Sequence, residues 1–237
     1  MTDLKTLLSD VQHKKRRFVV YSPDSAGSYE EWFANHNVDI EYRPLPTGSP
    51  TSFLVVERGE SFAGAIGLDD LEYLLEPPIV RPERPQDLSE GYRIIFEILS
   101  DTVFTAMTRR ELLAVSREIE ERAYRVGTGV LHASFQKLST FESQTDVYRH
   151  LATETDLEIH IYGLADWDAP EIPQVTYHGF TTDPLEQYWA LAFDGGKSRK
   201  HACGLLAREC STDAYVGFWT DEPAVVQELE SGLTKPP

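Results

Sequence analysis

The sequence predicts an α/β protein with mixed sheets flanked by helices, and three observations lead to this class. A strand–helix–strand pattern occurs once in each half of the chain. Each pattern is followed by two apolar strands around a charged turn, and then by a helix that begins at an acidic cap. The 237 residues are 41% hydrophobic, which is enough to form a real core. We therefore predict two pseudo-duplicated β-α-β-β-β-α halves joined by a central helical segment.

The N-terminal half is predicted from short periodic segments separated by turn residues. Its elements are, in order, a helix at 4–11, strands at 18–21 and 38–42 around a helix capped by Ser28, a hairpin of strands 53–57 and 61–66, and a helix beginning at Asp69. Prolines at 77, 78, 82 and 85 then indicate a linker. We predict an N-terminal half-domain over residues 1–80 and a second domain over 81–237. The second domain includes the central helices of segment 88–126, one at about 88–100 and one at 109–126.

The clearest helix of the chain is predicted over residues 109–126. Thr108 and Glu111 form a capping box, and Gly127 and Gly129 end the helix. One apolar stripe runs along it: Leu112, Val115, Ile119, Ala123 and Val126.

The charged residues of this helix have two interpretations. They form a solvated face with the i,i+4 pairs Glu118–Arg122 and Glu121–Arg125, or they dock the helix on a second copy of the chain. On the second interpretation the candidate interface residues are Arg117, Glu121, Arg122 and Arg125.

The C-terminal half repeats the strand–helix–strand pattern and adds an insertion. Its elements are a strand at 131–136, a helix at 146–153 capped by Ser143 or Thr145, strands at 157–163 and 175–180, a helix from Asp183 containing Tyr188, Trp189 and Phe193, a hairpin of strands 202–208 and 214–219, and a terminal helix from Pro223. We expect the strands at 131–136 and 157–163 to pair in parallel, because a helix connects them.

The charge of the chain excludes two classes of partner. With 39 acidic and 22 basic residues the formal net charge is -17, which argues against binding nucleic acid or an anionic membrane. We interpret the basic cluster at 13–17 as local charge balance. No signal peptide or transmembrane segment is predicted, and two cysteines are too few for a disulfide framework, so we expect a cytoplasmic protein.

No motif in the sequence dictates a reaction. The phosphate-binding, dinucleotide-binding, zinc-protease and serine-hydrolase signatures are all missing, and no catalytic residue, metal or cofactor is identified. His201, Cys203 and Cys210 form one thiol–imidazole grouping, and a small buried hydrophobe is the simpler interpretation of each cysteine. His132 and His160 lie on the polar side of their strands and are interpreted as surface or interface histidines.

A small-ligand site is predicted at the carboxyl ends of the C-terminal strands, where open α/β sheets bind ligands. The candidate residues are Gln136, Tyr162, Asp166, Trp167 and Trp189. Aromatic walls with a few polar groups suit a small molecule. The alternative is that Trp167 and Trp189 pack the inserted loop and helix on the sheet.

A set of residues in a fixed order resembles a known family. The set comprises Arg117, Ile119-Glu120, Arg122-Ala123, Gly127, Gly129, Phe135-Gln136, Tyr148-Arg149, Leu151, Tyr162-Gly163 and Asp166. It resembles the DICT domain, a sensory module of diguanylate cyclases, two-component proteins and some transcription regulators. Acidic, lysine-poor members of this kind are expected in halophilic archaea.

The resemblance implies a signal-sensing or regulatory role and carries over no catalytic residue. The sequence has no diguanylate cyclase motif, kinase ATP-binding signature or DNA-binding helix-turn-helix, so any output is expected to pass through a signalling partner protein or a homodimer. A cytoplasmic sensory module that binds a small ligand or partner protein is therefore predicted. The alternatives are a protein-interaction module without a ligand and an enzyme with an unrecognised active site.

Overall fold

The computed structural model describes residues 4–12, 16–23, 38–46, 51–58, 61–69, 103–181, 185 and 187–234. Four predicted features lie outside the described residues: the helix capped by Ser28, the helix after Asp69, the linker at 77–85 and the helix at 88–100. Within the described residues no helix is long and apolar enough to cross a membrane.

A four-stranded sheet follows the first helix. The elements are α1 (Leu4–Gln12), β1 (Arg16–Ser22), β2 (Val38–Pro44), β3 (Phe53–Arg58) and β4 (Ser61–Gly67). The strand order is β2-β1-β3-β4, in which β1 and β2 are parallel and the other pairs are antiparallel. The predicted strands and hairpin of the N-terminal half are confirmed.

The larger sheet has seven strands, and the three at one end of it run parallel. Its elements are β5 (Val103–Met107), α2 (Arg109–Val126), β6 (Thr128–Lys137), α3 (Leu138–Phe141), α4 (Thr145–Glu154), β7 (Asp156–Leu164), β8 (Val175–Phe180), β9 (Tyr188–Phe193), β10 (Cys203–Ser211), β11 (Ala214–Thr220) and α5 (Pro223–Thr234). The strand order is β5-β11-β10-β9-β6-β7-β8, and β6, β7 and β8 run parallel. The mixed α/β class and the parallel pairing of β6 with β7 are therefore confirmed.

The segment with Tyr188, Trp189 and Phe193 is a strand, and its prediction as a helix was wrong. This strand, β9, pairs with β6 on one side and β10 on the other. Side chains on both of its faces are buried, so its sequence is a continuous apolar run without alternation. Such a run is equally compatible with a buried helix, and period alone does not separate the two.

The pseudo-duplication of the two halves is not confirmed. In the small sheet the hairpin β3–β4 pairs directly with β1. In the large sheet β9 lies between β6 and the hairpin β10–β11, which was the predicted counterpart of β3–β4. The internal repeat therefore stays a hypothesis.

Helix α2 lies across the large sheet, where it contacts β6, β9, β10 and β11. Its stripe residues Leu112, Ile119 and Ala123 are completely buried, as predicted. On the opposite face of the sheet, leucines of α1 pack with Val226, Leu229 and Leu233 of α5 in a second apolar cluster.

The charged residues of α2 are not a solvated face, so that interpretation was wrong. Glu118, Glu120 and Glu121 are only 1–5% exposed. The predicted pair Glu121–Arg125 forms at 3.4 Å, but Glu118 pairs with Arg125 at 3.2 Å instead of with Arg122. The guanidinium of Arg122 binds Asp221, just before α5, at 2.7 Å. Since Arg117 also pairs with Glu120, all four candidate interface residues are engaged in ion pairs within the chain.

The predicted side-chain cap of α4 was also wrong. No side-chain hydrogen bond caps this helix, whose N-cap position is Gln144. Thr145 is the first helical residue, and its hydroxyl donates backwards to the carbonyl of Glu142 at 2.9 Å. The turn before Thr145 is already helical, and the carbonyl of Glu142 accepts the N–H of Thr145 as well as its hydroxyl.

Glycine is required at positions 127 and 129, after α2, for two different structural reasons. Gly127 has φ +69° and its N–H donates to the carbonyl of Ala123 at 2.8 Å, which ends the helix. Gly129 has φ +118°, and a Cβ there would lie 2.7–2.8 Å from the backbone of Gly196 and would collide with the carboxylate of Asp194. That carboxylate accepts the N–H groups of Val130 and Gly196 at 3.0 and 2.8 Å.

Substitution of Gly129 by alanine is expected to lower the free energy of unfolding by roughly 2–3 kcal/mol, because backbone atoms must move. The matched control is Gly127→Ala. Its new Cβ would have no neighbour closer than 3.7 Å, so only the left-handed penalty of roughly 1 kcal/mol applies. Urea unfolding of both variants measures the difference, and equal losses would contradict the close approach at Gly129.

Candidate functional site

A cavity of about 170 Å³ lies between α2 and the large sheet, beside the C-terminal end of β6. Its apolar and aromatic lining residues are Leu113, Phe135, Trp189, Leu191 and Tyr215. Its uncharged polar lining residues are Ser116, Ser134, Gln136, Thr140, Ser143 and Gln144. Arg109, Arg117 and Glu120 provide its charges. A cavity of about 150 Å³ already accommodates a benzene molecule, so this cavity is large enough for a ligand with one small ring.

The end of β6 is distorted at the cavity wall. The register between β6 and β7 shifts between Ser134 and Lys137, and Gln136 in this bulge has φ +61°. A positive φ at a residue other than glycine stores strain, and bulges redirect side chains next to functional sites.

The distortion leaves hydrogen-bonding capacity unused. The amide nitrogen Nε2 of Gln136 and the hydroxyl of Ser134 are buried and have no hydrogen-bond partner among the described residues. Buried polar groups are nearly always satisfied, so an unsatisfied amide at a cavity indicates a missing partner.

An ion pair on α2 forms the second wall. The guanidinium of Arg117 donates to the carboxylate of Glu120 and to the side-chain oxygen of Gln144. Burial opposes the charge of Arg117, but the charge of Glu120 and the hydrogen bond to it raise the pKa of Arg117 above its usual value. The arginine therefore stays charged inside the structure, and Glu120 already has a strong partner.

The rim of the cavity combines an arginine with two aromatic rings. The guanidinium carbon of Arg109 lies 6.0 Å from the ring centroid of Trp189, and Trp189 meets Tyr215 edge to face at 6.2 Å. The N–H of Arg109 donates to the carboxylate of Asp213 at 3.1 Å, which fixes the start of α2 against the β10–β11 turn. This arrangement presents a cation and flat apolar surfaces to the same small space.

Comparison with known families decides the class of this domain. Residues 95–210 match the family model of the DICT domain, described as a sensory domain in diguanylate cyclases and two-component systems. The chain contains a DICT sensory domain. The matched range includes every cavity residue except Tyr215.

Two further comparisons add no function. No curated protein matches the chain. The crystal structure of polyphosphate kinase from Porphyromonas gingivalis is similar with a TM-score of 0.39 and 11% sequence identity, over 98% of this chain and 47% of that chain. The chain thus spans about half the length of that protein, and a likeness at this level supports no conclusion about the DICT domain.

The DICT domain brings two of the five predicted ligand residues together. Gln136 and Trp189 line the cavity. Tyr162 lies on the opposite face of the sheet, where its hydroxyl meets Nδ1 of His132 at 2.9 Å. Asp166 accepts the N–H and hydroxyl of Ser139 at 2.9 and 2.6 Å, and these bonds lower the pKa of Asp166. Trp167 packs against the apolar core.

Sequence reasoning missed most of the charged wall. Arg109 and Glu120 were not site candidates, and Arg117 was assigned to an interface. Positions 109, 113, 116, 117 and 120 follow one another at helical spacing. The sequence therefore indicates that they share one face of α2, beside its apolar stripe. The position of these residues at the cavity could not be predicted, because polar positions on a helix usually face solvent.

Histidines on the other face of the DICT sheet form a stacked row. His132 stacks on His160 at 4.9 Å, and Nδ1 of His160 lies 3.0 Å from Nε2 of His178. His132 is buried, so its interpretation as a surface histidine was wrong; neighbouring rings on β7 cover it. Burial, with the charges of His160 and His178, lowers the pKa of His132 to about 4. Among the described residues no group of three or more potential ligands could hold a metal ion.

The cysteines do not form a thiol–imidazole centre. Cys203 is completely buried, and burial raises the pKa of its thiol to about 12. Cys210 and His201 are exposed. The small-hydrophobe interpretation therefore holds for Cys203.

Proposed function

We propose that the chain is a cytoplasmic regulatory protein whose DICT domain senses a small molecule in the cavity beside Gln136. The observation that carries the proposal is the buried, unpartnered amide of Gln136, held at a positive φ in a bulge that faces the cavity. Backbone strain and an unpaired buried donor both lower the free energy of unfolding. A bound ligand that accepts from Gln136 would account for this arrangement.

The lining favours binding over catalysis. It contains no histidine or cysteine among the described residues, and its one carboxylate is engaged with Arg117. A nucleophile next to a general base, which an enzyme of this kind would need, is not assembled there. We therefore propose no catalytic output for this domain.

Helix α2 supports a route for output. It carries Arg117 and Glu120 at the cavity, and one turn further on Arg122 contacts Asp221 before α5. Ligand contacts that shift α2 would change this connection, and the state of α2 would be read by a signalling partner protein. Arg125, the most exposed of the four candidate interface residues, is the first contact we propose for such a partner or for a second copy.

Replacement of Gln136 by glycine is expected to abolish ligand binding without loss of stability. Glycine accepts φ +61° freely, so the free energy of unfolding should stay within about 1 kcal/mol of the wild type or rise. Benzamide is a suitable neutral probe, because its ring fits the aromatic wall and its carbonyl can accept from Gln136. Titration followed by ¹H–¹⁵N NMR should shift the Gln136 side-chain and Trp189 indole resonances.

The chain offers a matched control for this experiment. Gln174 has nearly the same backbone strain, φ +62°, but is exposed and does not line the cavity. Gln174→Gly should leave benzamide binding unchanged. If benzamide fails to shift the wild-type resonances, or binds Gln136→Gly as well as the wild type, the proposed site is wrong.

A further inference from the structure

The hydrogen-bonding inventory of the cavity restricts the chemistry of its ligand. The acceptors Glu120 and Gln144 Oε1 are both occupied by Arg117. The amide nitrogen of Gln144 donates to the hydroxyl of Ser143 at 2.9 Å. The amide donor of Gln136 remains, because it has no partner among the described residues. A ligand that supplies an acceptor would satisfy this donor.

The charges of the lining also favour a ligand that supplies acceptors. Two arginines and one glutamate line the cavity, so its lining carries a net charge of +1 within a chain of net charge -17. Glu120 neutralises Arg117, which leaves Arg109 as the surplus cation. The carboxylate of Asp213 does not line the cavity and binds the backbone of Arg109. The N-terminus of α2, an 18-residue helix, adds partial positive charge at this end.

The walls select a flat ligand. The ring of Trp189 lies under the guanidinium of Arg109, Tyr215 meets it edge to face, and Phe135 completes the aromatic side. Offset stacked and edge-to-face ring contacts favour a planar partner of the size that the cavity admits.

We propose that the DICT cavity binds a small planar carboxylate, with the carboxylate facing Arg109 and the amide of Gln136 and the planar group against Trp189. This inference rests on the proposed function, since it names the ligand class of the same site. Hydrogen bonds between ionised partners are roughly twice as strong as neutral ones, so the carboxylate accounts for most of the selectivity.

Three probes test the class by NMR titration at constant ionic strength. Benzoate is expected to bind roughly tenfold more tightly than benzamide, which has the same shape without the charge. Acetate, which has the charge without the ring, is expected to bind more weakly than benzoate. Arg109→Gln should weaken benzoate binding roughly tenfold and benzamide binding much less, so that the preference for benzoate over benzamide is lost. The control Arg110→Gln removes a neighbouring charge that does not line the cavity, and should change neither affinity by more than about threefold.

The outcomes separate this inference from the proposed function. Benzamide binding as tightly as benzoate would overturn the carboxylate while leaving the cavity a ligand site. Acetate binding as tightly as benzoate would overturn the planar group. If Arg109→Gln and Arg110→Gln weaken benzoate binding equally, Arg109 is not the carboxylate partner. If none of the probes shifts the Gln136 and Trp189 resonances, the proposed function fails as well.

Discussion

Replacement of Phe141 by alanine is expected to lower the free energy of unfolding by about 3–5 kcal/mol. Phe141 is completely buried, and its ring meets three others edge to face: Phe135 and Tyr148, both at 5.2 Å, and Tyr177 at 5.7 Å. These rings belong to β6, α4 and β8, so one side chain joins three elements of the DICT domain. Its removal would leave a cavity that the surrounding strands cannot close.

The same substitution at Phe62 is the matched control. Phe62 is 70% exposed on β4, so Phe62→Ala should change the free energy of unfolding by less than about 0.5 kcal/mol. Urea unfolding followed by circular dichroism measures both variants. A loss below about 1.5 kcal/mol at Phe141 would show that the aromatic cluster relaxes around the deletion, contrary to a rigidly packed core. Because Phe135 also lines the cavity, Phe141→Ala should weaken the proposed benzamide binding as well.

The sequence predicts those parts of the fold that depend on local period. Helix α2 has a cap residue, a continuous stripe and a terminating glycine, and its predicted and observed bounds agree. Strand β7 begins with an alternating burial pattern, and the helix that connects β6 to β7 allowed their parallel direction to be inferred. Caps, apolar period and terminating glycines are local patterns within roughly 10–20 residues, and such patterns are compatible with few secondary structures.

The features that the sequence did not predict depend on contacts between distant segments. Strand β9 lies between β6 and β10, and burial on both faces removes its alternation. The cavity combines Arg109 from α2, Gln136 from a bulge and Trp189 from β9, which are far apart in the chain. The bulge itself has no local signature, since nothing in the sequence around Gln136 requires a positive φ. Ligand sites assembled in this way become visible only when the sheet order is known.

Two buried ionisable groups are expected to make opposite contributions to stability between pH 4 and 7. Burial lowers the pKa of His132 to about 4, from about 6.5 in an unfolded chain. Below pH 6.5 His132 therefore becomes protonated in the unfolded chain while it stays neutral in the folded protein. The free energy of unfolding falls as the pH falls through this range. Above pH 6.5 His132 is neutral in both states, and this loss of stability is absent.

The sign for Glu121 is the reverse. Burial raises the pKa of Glu121 to about 7, Arg125 opposes this shift, and Glu118 adds to it. An unfolded glutamate loses its proton near pH 4.5, so the folded protein retains a proton that the unfolded chain has released. The contribution of Glu121 is therefore complete below pH 4.5 and is lost as the pH rises through 7. Each group is worth up to about 3 kcal/mol over this window.

Single substitutions should reveal contributions that nearly cancel in the wild type. Relative to the wild type, Glu121→Gln should gain stability progressively as the pH rises from 4.5 to 7, by up to about 3 kcal/mol. His132→Asn, which keeps a polar atom for Tyr162, should show the opposite slope, and the double variant should again follow the wild type.

Urea unfolding at constant ionic strength measures all four proteins, and differences from the wild type remove the titration of the other acidic groups. A pH-independent difference for either single variant would show that its group does not titrate differently in the folded protein. Opposite slopes would mean that His132 on one face of the large sheet and Glu121 on the other respond to pH with contributions that offset each other.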